Sequence, residues 1–114
     1  MTKRDTLLFV DDIVEAIEKI RLHTRSVSWD QFFQDDVLQA AVVRWITIVG
    51  EAAARIPSEF RAQHSDVPWP DLAGMRNRLV HGYFQVDLDR VWRVVTDDVP
   101  ELDAVIRWLR ESLK

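Results

Sequence analysis

Residues 35–55 read DDVLQAAVVRWITIVGEAAAR. Apolar side chains recur at Leu38, Ala41 and Val42, Trp45 and Ile46, Val49, Ala52 and Ala53, with Ile56 next in line. Steps of three and four residues keep them on one face of a helix, because each residue advances about 100° around the axis. The spacing predicts a long helix from about Asp35 to Arg55, stopped by Pro57. Gly50 inside it costs about 1 kcal/mol against alanine. With Ala52, Ala53 and Ala54 it makes a small-residue surface that another helix can approach closely.

Working outward, Leu7, Leu8, Val10, Ile13, Val14, Ile17, Ile20 and Leu22 repeat the same spacing and predict a first helix from about Lys3 to His23. Asp11, Asp12, Glu15, Glu18 and Lys19 form its wet face. Between the two, Ser28-Trp29-Asp30-Gln31 has the form of a capping box, followed by a short turn of helix through Phe32 and Phe33. Beyond Pro57, Ser58 to Gln63 reads as a short helical turn. Pro68-Trp69-Pro70 punctuates a loop, and Pro70 suits a first helical position. Leu72, Met75 and Leu79 then face inward on a third helix, predicted to end near His81 with Gly82 as a permissive cap. Asp87 reads as the N-cap of a last helical stretch with Leu88, Val91, Trp92, Val95 and Val99. Pro100 should kink or restart it, and Leu102, Val105, Ile106, Leu109 and Leu113 complete the stripe. No strand alternation is convincing. The expectation is one all-α domain, residues 1–114, built as an antiparallel bundle of four long helices plus short helices.

Composition narrows the class. The chain has 114 residues, enough for one real core, and 47% hydrophobic against 30% charged residues is ordinary for a soluble globular protein. It has no cysteine, which excludes disulfides and thiolate metal sites and suits the cytoplasm. No uninterrupted apolar run approaches the ~18 residues of a membrane span. A net charge of −4 argues against indiscriminate nucleic-acid binding. Yet residues 76–93 hold four arginines against two aspartates. An acidic body with one basic locality suits a protein that engages RNA at one place; a solvated surface patch is the ordinary alternative.

Chemistry concentrates in Arg76-Asn77-Arg78-Leu79-Val80-His81-Gly82-Tyr83. Arginine grips phosphate oxygens through its planar fork, and histidine can take and give a proton near neutral pH. On a straight helix five residues turn through about 500°, leaving Arg76 and His81 roughly 140° apart, whereas Asn77 and His81 would share a face. Asn77 is then placed to support the His81 ring or a phosphate oxygen. A helix ending near His81 would also set that ring at the negative end of the dipole. His23 reads as a dipole complement at the end of the first helix. His64-Ser65-Asp66 is discounted as a triad, because adjacent loop residues rarely converge. Arg44, Ile48, Glu51 and Arg55 lie along one side of the second helix. Glu51 either pairs with Arg44 or Arg55 or reaches across to orient Arg76.

The order Arg76, Asn77, His81, Tyr83 resembles the HepT-like branch of the HEPN ribonucleases. Gly50-Glu51-Ala52-Ala53 and the run from Trp69-Pro70 to Met75 are similar as well, and the likeness extends over nearly the whole chain. The resemblance implies a HEPN helical bundle, a homodimer with a composite site at its interface, and an RNA substrate. It further implies the toxin of a toxin–antitoxin pair, with Tyr83 adenylylated by a partner minimal nucleotidyltransferase acting as antitoxin. The residues taken alone agree on the dimer. RNA cleavage through its own 2′-hydroxyl wants both a base and an acid, and one chain supplies one motif histidine. Arg76 and His81 are thus the expected catalytic residues, Asn77 a support and Tyr83 the modified residue. The three histidines are scattered, so no metal site and no cofactor is expected, and a 2′,3′-cyclic phosphate is the product class. Two other readings remain open from sequence: a non-catalytic nucleotide-binding partner of a nucleotidyltransferase, and a plain dimerising scaffold.

Overall fold

The computed structural model describes residues 2–81 and 85–114, and for Arg78, Val80, His81 and Gln85 it describes the main chain alone. In chain order the elements are α1 (Lys3–Thr24), α2 (Trp29–Gln34), α3 (Asp36–Arg55), α4 (Ser58–Gln63), α5 (Trp69–Gly74), a 3₁₀ turn (Met75–Arg78), β1 (Val80–His81), β2 (Gln85–Val86), α6 (Leu88–Arg93), a π turn (Val94–Asp98) and α7 (Val99–Ser112).

The helix starts follow from side chains that satisfy orphan backbone N–H groups. Ser28 Oγ accepts from the Gln31 N–H at 3.2 Å, and Gln31 Oε1 accepts from the Ser28 N–H at 2.9 Å. Thr2 and Asp5 make the same reciprocal pair at the head of α1. Asp35 and Asp87 cap α3 and α6 by accepting from Leu38 and Arg90.

The predicted stripes make the core. Val10, Ile13, Val14, Ile17 and Ile20 of α1 are sealed from solvent, as are Val42, Ile46, Val49, Ala52 and Ala53 of α3. Leu102, Ile106 and Leu109 of α7 complete it. Leu8 and Leu22, expected on the apolar stripe of α1, are instead exposed. Four of the five tryptophans are buried or half-buried; Trp108 is exposed. α1 packs against both α3 and α7, and α3 carries α5 and the 3₁₀ turn on its far part. Among the described helices α3 is the one long and apolar enough to cross a membrane by length and composition. It packs against α1, α5 and the 3₁₀ turn, and 33% of its apolar window is buried.

One buried charge ties α1 to α7. Asp103 is almost fully enclosed and binds Arg21 across the interface and Arg107 Nε at 2.8 Å. Arg107 also reaches Glu18 of α1 at 3.6 Å. The Asp103 hydrogen bond holds the Arg107 guanidinium above its ordinary range. Two arginines on one enclosed carboxylate give it the partners a buried charge requires.

Pro100 falls in the first turn of α7, where the helix restarts as expected, whereas the end of the third helix departs from the sequence reading. Pro100 lacks an N–H and its ring crowds the carbonyl four residues back. The helix runs on through this position because its preceding turn widens: the Val99 N–H bonds the Val94 carbonyl, five residues back. The third helix does not extend to His81. α5 ends at Gly74, the 3₁₀ turn ends at Arg78, and the chain then goes extended. Val80 pairs with Val86 and His81 with Gln85 in an antiparallel ladder. Its base is closed by the Asp87 N–H bonding the Leu79 carbonyl at 2.7 Å.

Candidate active site

The site is assembled from underneath. Trp69 is buried and its indole N–H donates to the His64 carbonyl at 3.0 Å, which fixes the loop before α5. Leu72, Met75 and Leu79 are sealed against the core. Their spacing turns the opposite face of the same short segment outward, and Arg76 and Asn77 occupy that face, both exposed.

Gly50 sets how close this segment comes to α3. A Cβ built at Gly50 would lie 3.4 Å from the Ala73 carbonyl oxygen, 3.5 Å from that of Leu72 and 3.6 Å from the Arg76 nitrogen. These are contact distances, so a methyl fits and anything longer does not. Gly50→Ala is therefore expected to be neutral or to gain up to about 1 kcal/mol from helix propensity. Gly50→Leu would wedge α5 away at a cost of about 1–3 kcal/mol. Urea denaturation of the two variants checks the difference; equal stability would mean the contact is not maintained in solution.

The next residue, Glu51, meets Arg76. Arg76 Nη1 donates to Glu51 Oε1 at 3.3 Å, across 25 positions of sequence, with both side chains about half exposed. The pairing is with Arg76 and not with Arg44 or Arg55, as neighbours on the same helix would have suggested. Beside the pair lies a shallow cleft of about 110 Å³ lined by Phe9, Asp12, Ile48, Glu51, Ala52 and Arg55. The Asp12 carboxyl there is pushed above the usual carboxylate range by partial burial and by the charges of Glu15 and Asp11.

Of the residues expected in the site, Arg76 and Asn77 sit side by side at the surface, and His81 follows on the strand that leaves the 3₁₀ turn. The helical i to i+4 relation between Asn77 and His81 does not hold, because helical structure stops at Arg78. For the same reason His81 does not cap a helix dipole. The expected contact of the His81 ring with Asn77, and the placement of Tyr83, lie outside the described residues. The basic locality is partly matched by carboxylates: Arg90 pairs with Asp87 at 3.4 Å, and Arg93 lines a cleft with Asp97 and Asp98.

The two other histidines have structural surroundings. His23 stacks on Trp45 with ring centroids 5.3 Å apart, joining α1 to α3. His64 lies 4.4 Å from Phe60 in a turn, and no trio forms with Ser65 and Asp66 in the described contacts. Among the described residues no group of three or more histidine or acidic side chains is arranged to hold a metal ion.

"Probable ribonuclease HepT" of Thermococcus cleftensis is 39% identical over 109 residues, spanning 96% of this chain and 99% of that one. "Putative RNase TTE0752" of Caldanaerobacter subterraneus subsp. tengcongensis is 35% identical over 106 residues, 93% of this chain and 95% of its own. "Putative RNase MJ1380" of Methanocaldococcus jannaschii is 35% identical over 102 residues, 90% and 94% of the two chains. No solved structure matches. Residues 13–109 match the family described as Ribonuclease HepT-like. The sequence likeness thus runs along almost the full length of ribonuclease-named relatives, and the chain belongs to the HepT-like family.

Proposed function

We propose that this chain is a metal-independent endoribonuclease, the cytoplasmic toxin of a toxin–antitoxin pair, acting through a site shared by two copies. The observation that carries the reading is Arg76, exposed on a rigidly packed turn immediately ahead of the strand bearing His81, in a HepT-like chain. One His81 removes the proton from the ribose 2′-hydroxyl, and the 2′-oxygen attacks phosphorus. The His81 of the second copy protonates the departing 5′-oxygen. Arg76 binds the phosphate and stabilises the charge that accumulates on its oxygens in the pentacovalent state. Asn77 supports the bound phosphate. The products are a 2′,3′-cyclic phosphate and a 5′-hydroxyl.

An exposed groove of about 530 Å³ supports the dimer. Ala40, Val43, Val86 and Leu88 give it apolar walls, and Asp36, Gln39, Arg44 and Thr47 give it polar ones. Val86 pairs with Val80, the neighbour of His81, so a second copy seated there would lie beside this motif. Adenylylation of Tyr83 by a partner nucleotidyltransferase would place an AMP phosphate within the same eight-residue motif as Arg76, where it would compete with RNA phosphate.

The test is cleavage of total tRNA by the purified chain in EDTA, with intact mass measured on the same sample to verify that Tyr83 is unmodified. Cleavage yielding cyclic-phosphate ends is the expected result. An unmodified, folded dimer that cleaves nothing sinks the reading, and saturable ATP binding in its place would mark a nucleotide-binding partner.

A further inference from the structure

A cleft of about 330 Å³ opens where the end of α1 meets α6, the π turn and the start of α7, and it shares no residue with the motif. Val27, Trp92, Val95 and Pro100 form its apolar walls, and Thr24 and Thr96 add hydroxyl groups. Arg21 and Arg25 supply its charge, and among the described residues no carboxylate lines it. The clefts beside Glu51, beside Arg93 and along Val86 all carry carboxylates in their walls. In a chain of net charge −4, two cations on an apolar recess are set apart from the rest of the surface.

Arg25 ends α1 in helical conformation, its N–H bonded to the Arg21 carbonyl at 3.1 Å. Four residues apart on a helix, the two guanidiniums leave the same face and repel each other. Arg21 is offset by Asp103, which it binds through Nη1. Arg25 is exposed and has no carboxylate partner among the described residues. The pair therefore has room for an anion. Trp92 is half-buried and already fixed: its ring stacks on Phe32 with centroids 4.8 Å apart and lies 6.3 Å from Trp29. A ring held from within and bordering a recess need not be ordered again to receive another flat group.

We infer that this cleft is a second RNA contact, which holds one unpaired nucleotide of the substrate away from the cleaved bond. Arg25, with the nitrogens of Arg21 that Asp103 does not engage, binds the phosphate. The base lies between Trp92, Val95 and Pro100. Pockets for small organic groups begin at about 300 Å³, so a single base has space there. A base held in a duplex cannot enter such a recess, so the site selects single strands. The cleft is also tied to the motif by a fixed path. Val86 pairs with Val80, Asp87 bonds Leu79 and caps α6, and Trp92 lies in that helix. Two extended steps and one helical turn keep the main chain of Trp92 within about 15 Å of Val86, so one strand can reach both places. The choice of ligand rests on the ribonuclease reading above.

The experiment uses a short single-stranded RNA with every 2′-hydroxyl methylated, which binds but has no nucleophile for cleavage. Its affinity is measured for the wild type, Arg25→Ala, Arg25→Glu and Arg25→Lys, with circular dichroism to verify each fold. The Trp92 indole N–H is followed by nuclear magnetic resonance, and RNA should shift it. Arg25→Ala should weaken binding by about 10-fold, as loss of a charged hydrogen-bond partner does. It should also lower the slope of log Kd against log salt by about one. Arg25→Glu should bind more weakly still, and Arg25→Lys should recover part of the loss. RNA that binds every variant equally, or leaves the Trp92 signal in place, overturns the inference. So does AMP that fills the cleft when the RNA does not, which would mark a site for free nucleotides. Cleavage of unmethylated RNA is scored separately. A wild type that binds RNA in the cleft yet cleaves none sinks the ribonuclease reading alone; one that cleaves RNA while Arg25→Glu binds it as tightly sinks the cleft alone.

Discussion

His81→Ala is expected to lower RNA cleavage by about 10²–10⁴-fold, the range for losing a positioned general acid or base. In a two-fold dimer the substitution removes acid and base at once, which favours the upper end. The main chain of His81 pairs with Gln85 in the ladder beside the 3₁₀ turn, and an alanine can make the same backbone bonds. Thermal unfolding should therefore change little while turnover collapses. Single-turnover cleavage with saturating enzyme isolates the chemical step. A variant that cleaves at the wild-type rate would move catalysis away from this motif.

The largest effect on stability is expected at Phe32. It is completely buried, stacks on Trp92 of α6 with ring centroids 4.8 Å apart, and lies tilted to Trp29 with centroids 6.4 Å apart. It is also the single buried residue of α2. Phe32→Ala removes a ring from a closed core and should cost about 3–5 kcal/mol. For a chain of this size that lowers Tm by about 12 °C or more. Gln39 donates to the Phe32 and Phe33 carbonyls at 2.9 Å each, but those bonds alone would not hold α2 on the bundle. Thermal melting followed by circular dichroism gives the number. A loss under about 1 kcal/mol would mean that the cavity closes by collapse.

Much of the bundle was legible because its stripes are long. Twenty residues of α3 repeat the apolar face five times, and chance does not sustain that. The end of the third helix was not legible for a related reason. Leu72, Met75 and Leu79 keep helical spacing past the point where the helix stops, and no glycine or proline intervenes between Met75 and His81. α5 gives way to the 3₁₀ turn after Gly74, and what draws the chain extended beyond Arg78 lies past the motif: Asp87 bonds Leu79, and Val86 pairs with Val80. Strands of two residues lie below any periodicity. In the site, Arg76, Asn77 and His81 announce themselves by residue type. The partner of Glu51 could not, since spacing along one helix offers Arg44 and Arg55 while the real contact spans two elements.

The widened turn at Val94–Asp98 bears on how this chain can change length. Val91, Val95 and Val99 are all buried and four residues apart; in a regular helix two such steps would drift about 80° around the axis. The wider turn absorbs that drift by storing one residue more than an α-helical ladder holds. A chain shorter by one residue there could span the same rod with its later side chains still in their places. A deletion between Val99 and Leu102 has no such reserve. It would bring Asp103, Arg107 and Arg110 into the positions of Leu102, Ile106 and Leu109, setting three charges in the core. Among HepT-like chains that differ in length along this helix, the difference should therefore gather at the single turn ahead of the proline.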